Sequence, residues 1–202
     1  MIRTVVCCSL LFGSATFAAA ADLGKIGNDA LLDVDGKPRA RDEWRDSKAV
    51  VYCFLGTECP VSNGYAAQMQ RLAEQYAAQG ATFVGAYSEP GVTADEAKQH
   101  GVEYGLKFVR LLDGEQKLAA QAGIQRVPTF VVVRPDGTIA YRGRIDDRWS
   151  PEGKRRNDPR THELADAVEA VLAGKSPPLA ETPTFGCPLP KRSQKSEIGN
   201  QK

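Results

Sequence analysis

Five residues of this chain have types and spacings suited to sulfur chemistry: Cys59, Ser62, Arg126, Pro128 and Cys187. Cys59 ends the strand-like run Val50-Val51-Tyr52-Cys53-Phe54-Leu55-Gly56-Thr57-Glu58 and is followed by Pro60-Val61-Ser62-Asn63, which reads as a helix start. A thiol at that junction faces unpaired backbone N–H groups and the positive end of the helix dipole, both of which favour the nucleophilic thiolate. Pro60 suits the first helical turn, where its missing N–H costs nothing. The polar break Gly56-Thr57-Glu58 carries Cys59 past the buried stretch, so solvent access is expected. Glu58 opposes the anion if its carboxylate lies close, and the two effects leave the sign of the pKa shift open. A redox-active Cys59 is favoured over an inert core cysteine, whereas Cys53, in mid-strand among large side chains, reads as buried and inert.

Ser62 stands three residues after Cys59, where a dithiol enzyme would carry its second cysteine. Two roles are open to it: donating a hydrogen bond to the thiolate, or capping the local turn. Pro128, in Val127-Pro128-Thr129-Phe130, immediately precedes a strongly β-prone run, an unusual place for a residue that cannot donate to a sheet ladder. A cis bond there would make a tight turn that brings backbone polar groups beside the thiol, and a trans proline at a strand start is the plain alternative. Arg126 either sits near the thiol and favours its anion or faces solvent.

The elements that must position these residues follow from pattern. Ala49 to Leu55 is nearly continuous apolar sequence, as in a strand buried on both faces. Asn63 to Gln79 repeats Tyr65, Met69, Leu72 and Tyr76 at helical spacing, and Gly80 closes it. Ala81 to Tyr87 is a second apolar strand, so the first unit is parallel. Thr93 with Glu96 forms a capping-box signature for a helix reaching His100 or Tyr104. Val109 to Leu112 is a short strand, and Lys117 to Ala122 a short helix. Thr129 to Arg134 turns through Pro135-Asp136-Gly137 into Thr138 to Gly143, a hairpin. Thr161 to Leu172 is the last helix, with Glu163 and Glu169 off its apolar stripe. Residues 22–48 form a lead-in with a turn or loose hairpin at Gly36-Lys37-Pro38. From Lys175 the chain is proline-rich and reads as an extended tail, disordered beyond Pro190. The fold class is α/β: a three-layer α/β/α sandwich with a mixed central sheet.

Together these residues resemble the thioredoxin-like superfamily, in its secreted redoxin branch related to thiol–disulfide oxidoreductases and peroxiredoxins of the AhpC/TSA type. The resemblance spans about Asp29 to Leu172 and rests on several features. These are Phe54 five residues before Cys59, the helix after it, the run Gly123 to Phe130, the Pro135-Asp136-Gly137 turn, and Tyr141-Arg142-Gly143. It implies that Cys59 is the attacking cysteine and Pro128 the family's cis-proline. The chain departs from the family in three places. Ser62 replaces the second cysteine of the dithiol motif, and Glu58 the usual tryptophan. Gly56 stands where peroxiredoxins have a threonine.

A lone thiolate needs a partner to resolve its product. The candidate is Cys187, reached along the tail in Thr184-Phe185-Gly186-Cys187-Pro188, within one chain or across to a neighbour in a possible homodimer. A Cys187–Cys53 bridge is the alternative, and Phe185 could dock the tail. The dense mixed-charge stretch Arg142 to Trp149 reads as a salt-bridged loop with Trp149 beneath it.

Residues 1–21 read as an export signal: Arg3, an apolar Val5 to Ala15, then Ala18-Ala19-Ala20-Ala21 for cleavage. The apolar part is too short to span a membrane. Domains are therefore 1–21 signal, 22–173 thioredoxin-like domain and 174–202 tail, in a periplasmic or secreted protein. The mature chain loses Arg3, leaving 25 basic against 25 acidic residues, and it lacks a basic run interleaved with aromatics; nucleic acid is not an expected partner. Only His100 and His162 exist and neither is near a cysteine in sequence, so no metal or other cofactor is expected. Protein thiols and disulfides or peroxide are the expected substrates, with an external thiol reductant. Three function classes stand: disulfide exchange through Cys59, a thiol peroxidase with Cys59 peroxidatic and Cys187 resolving, and a redoxin-fold binding or assembly module.

Overall fold

A computed structural model of the chain describes residues 22–149 and 154–191. The export signal expected at 1–21 and the polar end expected to be disordered lie, apart from Lys191, outside the described residues.

The core forms on β3 (Ala49–Leu55), every residue of which is buried. It pairs in parallel with β4 (Ala81–Tyr87) and antiparallel with β7 (Thr129–Val133), whose residues are also all buried. These three β-branched and aromatic runs have apolar side chains on both faces, so burial between helix layers is their stable arrangement. β4 pairs in parallel with β5 (Val109–Leu112), and β7 antiparallel with β8 (Ile139–Gly143). The lead-in hairpin, β1 (Leu31–Asp33) with β2 (Pro38–Arg39), joins the far edge through β1 and β5, completing the order β2-β1-β5-β4-β3-β7-β8. The result is a mixed sheet flanked by helices, in the thioredoxin-like α/β arrangement.

The helices are α1 (Pro60–Ala77), α2 (Ala94–Glu103), α3 (Lys117–Gln121) and α4 (Glu163–Leu172). α2 starts with the expected capping box: the Thr93 side chain accepts from the Glu96 N–H, and the Glu96 carboxylate accepts from the Thr93 N–H at 2.8 Å. Such caps contribute about 1 kcal/mol. α4 begins at Glu163, two residues later than the sequence pattern suggests. Glu163 itself is buried at 7 % exposure rather than solvated, because its carboxylate pairs with the Arg144 guanidinium. α1 and α4 are tied by the Tyr76 hydroxyl, which donates to Glu169 at 2.8 Å.

The proline-rich segment after α4 is extended, as its composition suggests, and it is docked at two places. Beside β8, the Arg142 N–H donates to Ala180 O at 2.9 Å and the Thr182 N–H to Arg142 O at 3.1 Å. Thr182 is buried there, and its hydroxyl meets the Tyr141 hydroxyl at 2.7 Å while accepting from the Arg144 N–H at 3.1 Å. The segment thus shields the outer edge of the sheet, whose free N–H and C=O groups would otherwise invite strand pairing. It then runs on to β9 (Cys187–Pro188), which pairs antiparallel with β6 (Arg126–Val127).

Candidate functional site

Parallel pairing of β3 and β4 brings the loops after both strands to one end of the sheet, where α/β folds commonly place ligands. Cys59 lies there as the N-cap of α1, with Pro60 as the first helical residue. Its turn is compact. The Cys59 N–H donates to Gly56 O at 3.3 Å, and Gly56 leaves no room for a side chain, since a Cβ would come within 2.9 Å of Val127 and 3.0 Å of Cys59 and Glu89.

Opposite this turn, the Val127–Pro128 peptide bond is cis. The carbonyl of Val127 faces the thiol and accepts its hydrogen at 3.3 Å. Val127 is also the residue against which the tail pairs, in the register Val127↔Cys187 and Arg126↔Pro188. Cys59, Ser62, Pro128 and Cys187 thereby converge on one site.

Cys59 is only 2 % exposed, which corrects the expectation of an open, solvent-facing thiol. The physical reason is packing: the thiol faces the Val127 carbonyl and joins the hydrophobic core, and β9 sets Cys187 opposite that same Val127. Burial by itself would push the Cys59 pKa up. The Cys187 thiol and amide, with the Ser62 amide and hydroxyl, donate to the thiolate and outweigh that cost, so the pKa lies below the ordinary thiol value. Cys187 responds in the opposite sense. Burial, donation to Cys59 and the negative charges of Cys59 and Glu89 push its thiol up to about 12, against an opposing pull from Arg126. The two thiols are thus displaced in opposite directions, Cys59 down and Cys187 up.

The turn-fixing role of Ser62 is visible in its hydrogen bond. Its buried hydroxyl accepts from the Gly56 N–H at 3.2 Å, fixing the turn, and also favours the Cys59 anion. Arg126 is exposed, and its guanidinium donates to Gly186 O at 3.0 Å, so its direct partner is the tail. Glu58 faces solvent. Cys53 is wholly buried inside β3, and burial alone pushes its thiol pKa well up. The mixed-charge stretch is knit by Asp146, buried and accepting from the Tyr65 hydroxyl at 2.6 Å and from Gln68 at 3.0 Å. Trp149 stacks on Phe185 of the tail, with ring centroids 6.1 Å apart and planes at 13°.

Several site residues gave no motif in the sequence. Glu89, just past β4, accepts from the Thr57 N–H at 3.1 Å and charges the surroundings of Cys187. Its signal was topological: a residue just past a strand parallel to β3 shares the end that carries Cys59. A second group runs through Asn63, whose amide donates to Thr57 O at 3.2 Å. Because a carbonyl only accepts, the Asn63 side-chain oxygen must face His100 Nε2 at 2.9 Å, which therefore donates. The neutral imidazole then accepts from the Tyr87 hydroxyl at Nδ1, at 2.7 Å. Burial lowers the His100 pKa and supports this neutral form. Tyr87, His100 and Asn63 thus hold the loop two residues before Cys59 from three different elements. Gln116, in a left-handed conformation at φ 59°, donates to Ser88 O at 3.0 Å and to Pro190 O at 2.6 Å, latching the tail's far end.

Among known families, the model described as Redoxin matches residues 18–157. A hypothetical protein from Sinorhizobium meliloti 1021 is 27% identical, with a TM-score of 0.74 over 82% of this chain and 92% of that one. An uncharacterized conserved protein from Geobacillus kaustophilus is 26% identical, with a TM-score of 0.74 over 84% and 92%. A secreted Mycobacterium tuberculosis disulfide oxidoreductase homologous to E. coli DsbE shares the fold at 20% identity and a TM-score of 0.51, over 73% and 96%. No curated protein matches the chain.

Proposed function

The chain belongs to the Redoxin family, and from that premise we propose that it is an exported thiol–disulfide oxidoreductase with Cys59 as attacking and Cys187 as resolving thiol. The family link to thiol–disulfide oxidoreductases and peroxiredoxins sets the class of chemistry. The observation that carries the finer reading is the convergence of the two cysteines on Val127 at the cis-proline turn, with their pKa values displaced in opposite directions. Export rests on the signal-like first 21 residues; among the described residues, no helix is long and apolar enough to cross a membrane.

The Cys59 thiolate attacks one sulfur of a substrate disulfide, forming a mixed disulfide and expelling the other substrate sulfur as a thiolate. Cys59 has now lost its negative charge, which is one of the causes holding Cys187 protonated. The Cys187 thiol therefore ionises more readily once the mixed disulfide exists, and its thiolate attacks the Cys59 sulfur. The second substrate sulfur leaves as a thiolate, the substrate is reduced to two thiols, and the chain holds a Cys59–Cys187 disulfide. An external thiol reductant restores it. The same pair could act in reverse as an oxidant, with the direction set by the potentials of the partners.

Peroxide is the competing electrophile, and the near-complete cover over Cys59 favours it in one respect: a small molecule needs less of the tail to move. In that case Cys59 becomes a sulfenic acid, and Cys187 condenses with it to the same disulfide, releasing water. One experiment tests the shared premise and separates the substrates. Reduced protein is treated with a substrate disulfide or with hydrogen peroxide, then digested and its disulfides mapped by mass spectrometry. A Cys59–Cys187 bridge formed faster with the disulfide supports the proposed reading, and one formed faster with peroxide supports the alternative. Absence of that bridge in both arms rejects Cys187 as resolver.

A further inference from the structure

We propose that the groove beside the cis-proline turn recognises an extended aromatic–glycine–cysteine segment of a partner protein, and that Phe185-Gly186-Cys187 is a resident copy of that segment which must lift before a partner binds. This rests on the thiol–disulfide reading above and adds a substrate preference and a gate to it.

The need for displacement comes from burial. Cys59 is 2 % exposed, and the tail strand pairs with the same edge, Arg126–Val127, along which a polypeptide disulfide would have to approach the sulfur. A partner pairing with that edge gains backbone hydrogen bonds whatever its sequence, so specificity must come from side-chain seats. The tail shows two. The first is aromatic: Phe185 stacks on Trp149 and helps wall a small pocket with Tyr65, Pro128, Ile145 and Asp146. The second excludes side chains. Gly186 has φ 154°, and a Cβ placed there would lie 2.1 Å from Val127 O and 3.0 Å from Pro128 Cδ. No other residue fits before the cysteine without moving the strand. Cys187 then falls opposite Val127, whose carbonyl faces the Cys59 thiol, and the next amide, that of Leu189, donates to Gln125 O at 2.8 Å.

The tail is built to be displaced at this end and retained at the other. Its grip at Ala180–Thr182 includes the buried Thr182 and two Arg142 nitrogens donating to one Glu181 carboxylate oxygen at 2.9 and 2.6 Å. From Pro183 to Pro190 no described residue is fully buried; the contacts include edge pairing, one ring stack, the Arg126–Gly186 bond, the Gln116 latch and the partly buried Phe185, Cys187 and Leu189 against the core.

The test uses full-length protein carrying Cys187→Ser, with and without Phe185→Ala. Three hexapeptides, Thr-Phe-Gly-Cys-Pro-Leu and its versions with Ala for Phe or Ala for Gly, are prepared as mixed disulfides with 2-nitro-5-thiobenzoate. Attack of the Cys59 thiolate on the peptide sulfur forms a Cys59–peptide disulfide and breaks the peptide–aryl bond. The aryl thiolate leaves with the electron pair, and its absorbance gives the rate. The Phe-Gly-Cys peptide is expected to react about tenfold faster than either alanine version, the size of effect that one lost aromatic seat or one steric block produces. Phe185→Ala in the protein should raise the rate for that peptide by loosening the resident strand. Equal rates for the three peptides, within about twofold, on the Phe185→Ala background overturn the proposal. A small aryl disulfide separates the two levels. If it reacts with Cys59 quickly while the peptides do not differ, only the segment preference falls. If it reacts no faster than with an unfolded-peptide thiol, the oxidoreductase reading falls as well. Dimers in sedimentation that Phe185→Ala dissolves would give the groove to the tail of a second copy and also overturn the proposal.

Discussion

Cys53 and Cys59 lie six residues apart on one stretch of chain and are both almost fully buried, yet their thiols are pushed in opposite directions. Cys53 is enclosed by β3 and its neighbouring strands, where the backbone donors are spent on the sheet ladder, so burial acts on it unopposed. Cys59 has left the ladder and entered the first turn of α1, where donors are unspent, and the tail adds two more from Cys187. The lesson is that burial does not by itself decide which way a thiol's pKa moves. What decides it is whether the surroundings hold hydrogen-bond donors with nothing else to satisfy.

The comparison can be broken most severely by removing each thiol. Cys59→Ser is expected to drop disulfide exchange to the background rate of the uncatalysed mixture, whereas Cys53→Ala leaves it close to that of the parent. Loss of activity in both variants, with both folded by near-ultraviolet circular dichroism, would put Cys53 in the reaction. The next effect concerns access. Gly186→Ala cannot keep the tail in register against Val127 O, so alkylation of Cys59 by iodoacetamide should rise by about tenfold or more while Cys53 stays protected. Peptide mapping of the alkylated sites reads both cysteines at once.

A third variant tests the silent partner. Cys53→Ser places a hydroxyl in an apolar interior without a prepared hydrogen-bond partner, at a cost of roughly 1–3 kcal/mol in urea unfolding and with no change in exchange rate. The smallest expected effect is on pH dependence. Because the thiolate is the reactive form and the Cys59 pKa is lowered on folding, its alkylation should persist to lower pH than that of an unfolded-peptide thiol. Ser62→Ala removes one donor to the anion and one acceptor from Gly56, so the alkylation profile should move to higher pH. The same sign applies to stability. A group with a depressed folded pKa stabilises the native state fully above its unfolded pKa, and that contribution fades as pH falls through the folded value.

Much of the fold was legible because the central strands are continuous β-branched and aromatic runs bounded by turn residues. The capping box at Thr93 and the Pro135-Asp136-Gly137 hairpin were read from local chemistry and are present where expected. Glu163 was misplaced because helical periodicity counts a carboxylate as solvent-facing and cannot know that Arg144 waits on a strand end. At the site, Cys59, Pro128 and Ser62 were visible through motif spacing. Glu89, Asn63, His100 and Gln116 were not, since each acts on the cysteine loop or the tail through a contact between elements far apart in sequence.

The sequence by itself determined the class of the molecule: an α/β domain that delivers one cysteine to a helix start, with a second far along a proline-rich segment. Local patterns suffice for that, because strand, helix and cap preferences depend on neighbours a few residues away. Whether those two cysteines come to one end of the sheet, and in which direction each pKa moves, was decided by tertiary structure alone. Thr182 fixes the tail to the sheet edge, Gly186 lets the strand lie flat on Val127, and Cys187 lands opposite the Val127 carbonyl that faces Cys59. The donors that lower one thiol and the charges that raise the other come from the start of α1, the loop after β4 and the tail, and only folding sums their effects.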